Sequence, residues 1–222
     1  MSQQNNIPLI FDPSNEPYLG LKSLLWFDRI ICWAVEGNVK VANWTQLNSK
    51  SLIPLQKAAC QIIPQGIGIA LSIRELIRQA YLFSSLILIR PLIERAAIIS
   101  YLDINPDDVT LWQNGWEYHE RPSLAKMMDN MSGIGTHKTA QNVVNAHNHV
   151  VHGDPLSCYN NLVKLPDGTF GYASGKILNN PDLADSIAME AQCYLIILAA
   201  RLSKIFPKVD MPEMPGDDNL PE

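Results

Sequence analysis

Three of the five histidines in this chain fall within six positions of the stretch "VVNAHNHVVHGDP", residues 143–155: His147, His149 and His152. An imidazole can move a proton near neutral pH or ligate a metal, and Asn148 and Asp154 add an amide and a carboxylate to the same stretch. His149 and His152 are three apart and can converge, so with Asp154 they form one conceivable metal-ligand set. The surrounding pattern does not support it. There is no H-E-x-x-H, no G-x-S-x-G elbow and no G-x-x-x-x-G-K-[ST] loop, and the two "GIG" triplets are too short to cradle a phosphate. The expectation is a site with neither metal nor cofactor.

The helix that must carry this stretch sorts its residues. At about 100° per residue, Val143, Ala146, His147, Val150 and Val151 share one side, with Val144 at the margin. Gln141, Asn145, Asn148 and His152 share the other. Asn148 and His152 are therefore neighbours one turn apart, whereas His147 belongs to the apolar face. There its simplest role is that of a core histidine bonded to a carbonyl or a buried acid, because buried polar groups are normally satisfied.

Two further groups could do chemistry. Arg90 and Glu94, four apart at the end of the apolar run "AYLFSSLILI", read either as a structural ion pair or as groups facing the same cleft as Asn148 and His152. "LWQNGWEYHERP" (111–122) brings Trp112, Trp116, Tyr118, His119 and Arg121 together. Aromatic rings beside an arginine could stack a base. Equally, tryptophans of this size serve a core or a subunit contact.

The elements that position these groups are mostly helical. Apolar residues recur at helix spacing from Leu19 to Val35, where Gly37 is expected to end the run, and a short helical piece at 55–63 is expected to break at "PQG" (64–66). From Ile67 to Tyr101 one long central helix is expected, with a kink near Pro91. "NPDD" (105–108) signals a helix start with Asn105 as cap, "RPS" (121–123) another, and "GIGT" (133–136) a break with Thr136 capping the histidine helix. "NLVKLPDGTFGYA" reads as a β-hairpin at about 160–174, because Asp-Gly supplies a tight turn. A last helix runs from the second Asn-Pro-Asp to Pro207. The reading is an all-α (mainly) bundle of one domain over 16–206, with an N-terminal arm at 1–15 and a mobile acidic tail at 207–222.

Composition excludes several classes. A hydrophobic share of 47% with 18% charged residues is that of an ordinary globular protein. A net charge of -5 argues against gripping nucleic acid by bulk charge, though a local basic pocket remains open. Cys32, Cys60, Cys158 and Cys193 form no C-x-x-C pair, and the three in apolar segments read as buried reduced thiols. No secretory leader is evident, the most apolar window is half the length of a spanning helix, and a cytoplasmic location without membrane attachment is expected.

"HNHVVHGD" resembles the motif region of the HEPN superfamily, helical-bundle proteins of conflict systems. That motif has an arginine, a polar residue such as asparagine, a few variable residues and a histidine near a helix end, often followed by glycine. On this chain the histidine is His152, the asparagine Asn148 and the glycine Gly153, while His147 occupies the arginine position. "LILIRPLIERAAIISYL" is similar to the central helix of a HEPN-like branch of bacterial proteins, with Arg90 and Glu94, and the likeness in layout spans roughly 67–205. The resemblance implies a metal-independent endoribonuclease of a toxin or phage-defence type. It would act on RNA as a homodimer, with an antitoxin or other protein as a further partner. His152 would move the proton and an arginine would stabilise the charged phosphorane. With histidine at the arginine position, the cation is missing unless Arg90, Arg95 or Arg121 supplies it. The other implication is a catalytically inactive module that binds a nucleotide, an RNA end or a protein partner.

Overall fold

The computed structural model describes residues 16–117, 119–131, 137–173 and 175–216. The expected arm, the break at 133–136 with its Thr136 cap, and residues 217–222 of the tail lie outside them. Seven α-helices are present among the described residues, with one hairpin before the last: a mainly α fold.

Helix α1 (Lys22–Asn48) does not end at Gly37. The missing side chain instead lets other parts of the molecule approach, since a Cβ there would sit 3.5 Å from Leu202 and 3.7 Å from Pro212. Helix α2 (Pro54–Arg78) likewise runs through "PQG", with Pro64 inside it. Gly66 is the reason a glycine is needed: an added Cβ would lie 2.6 Å from the Leu198 side chain. In both helices glycine marks a close approach between helices, not a terminus.

The expected single helix from Ile67 to Tyr101 is two helices. α2 stops at Arg78 and α3 (Leu82–Ile104) begins after a turn in which Ala80 takes φ +64. Pro91 lies inside α3 as expected. Asn105 ends α3, its side chain donating to the Tyr101 carbonyl at 2.9 Å, and does not cap the next helix, α4 (Asp108–Gln113). α5 (Leu124–Met128) is capped by Ser123, which accepts from the Lys126 N–H at 3.2 Å. α6 (His137–Val151) carries the histidines. The hairpin pairs β1 (Leu162–Lys164) with β2 (Phe170–Tyr172), and Gly168 at φ +84 turns the loop as the Asp-Gly signal required. α7 (Pro181–Ile205) starts at its Asn180 cap, where the side chain accepts from the Leu183 N–H at 3.1 Å.

One contiguous core of buried apolar side chains runs from Tyr18 to Phe206. α3 packs between α2 and α7, and α1 closes the far side against α7. α5 and α6 lean on each other and on α3, so the histidine helix sits at the flank of the bundle. By length and composition α7 could cross a membrane, but Ile187, Leu195 and Leu198 are spent on the core, which is the behaviour of a central bundle helix. After α7 the chain does not swing free at once. The Trp33 indole N–H donates to the Pro212 carbonyl at 3.0 Å, and Met211, Pro212 and Met214 line a groove with Ala34 and Leu202.

Candidate functional site

α6 buries Ala140, Val144 and His147. The buried stripe is thus rotated from the expected one: Val144 is central to it, while Ala146 and Val151 are exposed. Val143 and Val150 flank it as half-buried neighbours. A short i, i+4, i+7 stripe suffices because α6 touches the bundle along one edge.

His147 points inward. Its Nε2 donates to the Glu190 carboxylate of α7 at 2.7 Å, and its Nδ1 is buried with no hydrogen-bond partner among the described residues. The geometry gives it an acid as partner, one that is half-buried and not buried. Glu190 was not foreseen; on α7 it is half-buried, three residues from buried Ile187, at the edge of the face turned to the core. Its charge, added to burial, pushes the Tyr194 hydroxyl well above its ordinary range and raises the Cys193 thiol.

Asn148 and His152 face outward, Asn148 half-buried and His152 exposed. The same face carries Gln141, which donates to Asn145 at 2.9 Å. The polar stripe is therefore where helix geometry put it, and the His152 imidazole has no side-chain partner among the described residues. His152 ends the helix. Its N–H donates to the Asn148 carbonyl at 2.9 Å, Gly153 turns left-handed at φ +68, and the Asp154 N–H closes on the His149 carbonyl at 3.0 Å. This is the Schellman closure that a left-handed glycine permits. The Asp154 carboxylate folds back to His149 Nδ1 at 3.1 Å. His149 and Asp154 thus meet, but no three of His, Cys, Asp and Glu are grouped to hold a metal ion among the described residues.

Arg90 and Glu94 pair along α3 at 3.6 Å, and Glu94 also lies 3.9 Å from Arg95. Arg95 has a second commitment, donating to Gln65 at 2.9 Å. Nη1 of Arg90 is buried without a partner among the described residues. Burial lowers the Arg90 pKa, Glu94 opposes that, and the positive charge of Arg121 lowers it further. Arg90 and Arg121 are therefore close enough to repel. No hydrogen bond or ion pair joins Arg90 or Glu94 to Asn148 or His152 among the described residues.

Arg121 instead lines an open cavity of about 430 Å³ with Ile98, Trp112, Gly115 and Trp116. Both tryptophans are half-buried and pack on the core, so each also presents surface to the cavity. The Trp116 ring meets Tyr101 edge to face, centroids 6.3 Å apart at 68°, and the Tyr101 hydroxyl donates to Asp108. Burial and that carboxylate push Tyr101 up to about 12.

One buried charge network escaped the sequence reading. Arg74 of α2 is almost fully buried, with its Nε 2.7 Å and Nη2 3.0 Å from the two Asp28 oxygens of α1, and Nη1 paired with Glu16. Burial raises the Asp28 pKa while Arg74 pulls it down. The available signal was phase: Arg74 falls in register with Ile67, Ala70 and Ile77 on the buried stripe of α2. The thiol expectation also needs correction. All four cysteines are free, but Cys32, Cys158 and Cys193 are exposed and only Cys60 is half-buried. Partial burial of the sulfur nonetheless raises Cys32, Cys60 and Cys193, which makes those thiols poor nucleophiles.

Compared with protein-family models, curated proteins and solved structures, the chain finds no match.

Proposed function

We propose that this chain is a HEPN-like, cytoplasmic module that binds a nucleotide or an RNA end as a homodimer without cleaving it. The observation that carries this reading is the fate of the arginine position. His147 is turned into the bundle and committed to Glu190. No guanidinium pairs with Asn148 or His152 among the described residues. Phosphoryl chemistry at a 2′-hydroxyl needs a fixed cation on the developing charge as well as a proton carrier. His152 can be the carrier, and its immediate neighbours give it no such cation.

The metal-independent endoribonuclease reading has one observation in its favour. The His152 imidazole is exposed and has no side-chain partner among the described residues, one turn from Asn148 on a solvent-facing stripe. A single experiment separates the two. Purified protein and its His152→Ala variant are incubated with total RNA in EDTA, and retention of labelled single-stranded RNA is measured in parallel. Retention with no cleavage by either protein is the expected result. Cleavage by the wild type that disappears in His152→Ala would establish the nuclease instead, and neither retention nor cleavage would remove both readings.

A further inference from the structure

We propose that the cavity between α3 and the α4–α5 connection, lined by Ile98, Trp112, Gly115, Trp116 and Arg121, binds one nucleotide unit, its base on a tryptophan face and its phosphate on Arg121. This rests on the nucleotide-binding reading above and assigns it a place away from the histidine helix.

Size is the first argument. The open space over these residues is about 430 Å³, within the size range of small-molecule sites. The walls are the second. The indole rings offer flat apolar surface, and base stacking on such rings is tolerant of sequence. Trp116 is held in place, because Gly115 at φ +93 and Trp116 at φ +31 close α4 with the Trp116 N–H on the Leu111 carbonyl at 3.0 Å. Tyr101 then props its ring from behind.

Charge is the third argument and decides the ligand class. Arg121 is exposed and makes no ion pair or side-chain hydrogen bond among the described residues, so its fork is available to an anion. Arg90 feels the charge of Arg121, and Glu94, the only acid paired with Arg90 or Arg95 among the described residues, is divided between the two. The acids of the same loop make no ion pair with Arg121 among the described residues: Glu117 faces His119 at 3.4 Å, and Glu120 is exposed. In a chain with a net charge of -5, Arg121 is the charged residue among those lining the cavity, so its wall carries a local positive charge. An aromatic platform beside a free guanidinium fits a ring carrying a phosphate better than a neutral ring or an isolated phosphate.

The test is calorimetric titration of the full chain with nucleoside 5′-monophosphates, the matching nucleosides, inorganic phosphate, and a short single-stranded RNA with and without a 5′-phosphate. The phosphorylated ligand should bind at least about ten-fold more tightly than its unphosphorylated match, the scale of one charge-assisted contact. Arg121→Gln, at an exposed position that should fold normally, should reduce that preference to about two-fold or less and leave nucleoside binding unchanged. Trp116→Phe should weaken nucleoside and nucleotide together. Preference for the mononucleotide or for the RNA end identifies the source of the unit, and either supports the site. Equal affinity for phosphorylated and unphosphorylated ligands, or nucleotide binding untouched by Arg121→Gln, overturns it. RNA binding that survives Arg121→Gln but is lost in His152→Ala overturns the cavity and leaves the broader reading standing.

Discussion

Helices α2 and α6 end in the same way, and the difference between the two ends is instructive. Each closes with an N–H reaching back five residues, Tyr81 to the Leu76 carbonyl at 2.8 Å and Asp154 to the His149 carbonyl at 3.0 Å. Each needs one left-handed residue, at φ +64 and φ +68. At the end of α6 that residue is Gly153, exposed, with nothing within 4 Å of where a Cβ would be. At the end of α2 it is Ala80, fully buried, whose carbonyl accepts from the Ile177 N–H at 2.8 Å. One turn is made by local backbone preference. The other is imposed by what surrounds it, against a preference that disfavours alanine there by about 1 kcal/mol.

Substitutions at the two positions should therefore differ in size and cause. Ala80→Val forces a branched side chain into a filled site at a left-handed backbone, and should cost about 3 kcal/mol in denaturant unfolding. Gly153→Ala meets no atoms, so only the backbone term remains, about 1 kcal/mol. Equal losses at the two sites would mean that packing is not what holds Ala80.

The histidines one and a half turns apart on α6 sharpen the same contrast between imposed and local placement. His147→Ala empties a buried site and strands Glu190, so a loss of about 2 kcal/mol is expected. His152→Ala should stay within about 0.5 kcal/mol of the wild type, as exposed substitutions do. A large stability loss in His152→Ala would show that the polar stripe is structural.

The smallest expected effect is a pH dependence at the end of α2. Arg78 forks onto Glu75 at 2.8 Å and holds its carboxyl below the ordinary value of 4.5. A depressed folded pKa contributes stability that is complete above the unfolded value and disappears as pH falls through the folded one. Melting temperature should thus drop below about pH 4.5 less steeply in Arg78→Gln than in the wild type. Because the pair is partly exposed, solvent screening keeps the difference small.

The features readable in the sequence were those set by residues near one another along the chain. Periodicity gave the helical class, Asp-Gly the hairpin, "RPS" and the second Asn-Pro-Asp the starts of α5 and α7, and Gly153 the end of α6. The outward stripe of Asn148 and His152 followed from helix geometry alone. Several of the misreadings share a cause. Gly37 and Gly66 look like terminators, but they are close approaches to Leu202 and Leu198 on α7, a helix more than a hundred residues away. Ala80 looks like helix and is a turn, since no local signal marks a left-handed alanine. The register of α6 shifted because the buried face is chosen by α3 and α5, not by the helix itself.

The sequence by itself thus determined the mainly helical class, the hairpin and the exposed polar face of α6, because backbone preference and 3.6-residue periodicity act within a few residues. Only the tertiary structure decided that His147 meets Glu190, that Arg74 is buried between Glu16 and Asp28, and that Arg121 and two tryptophans open a cavity over α3. Those are encounters between distant segments, fixed by which apolar faces pack together, and no local pattern encodes the partner.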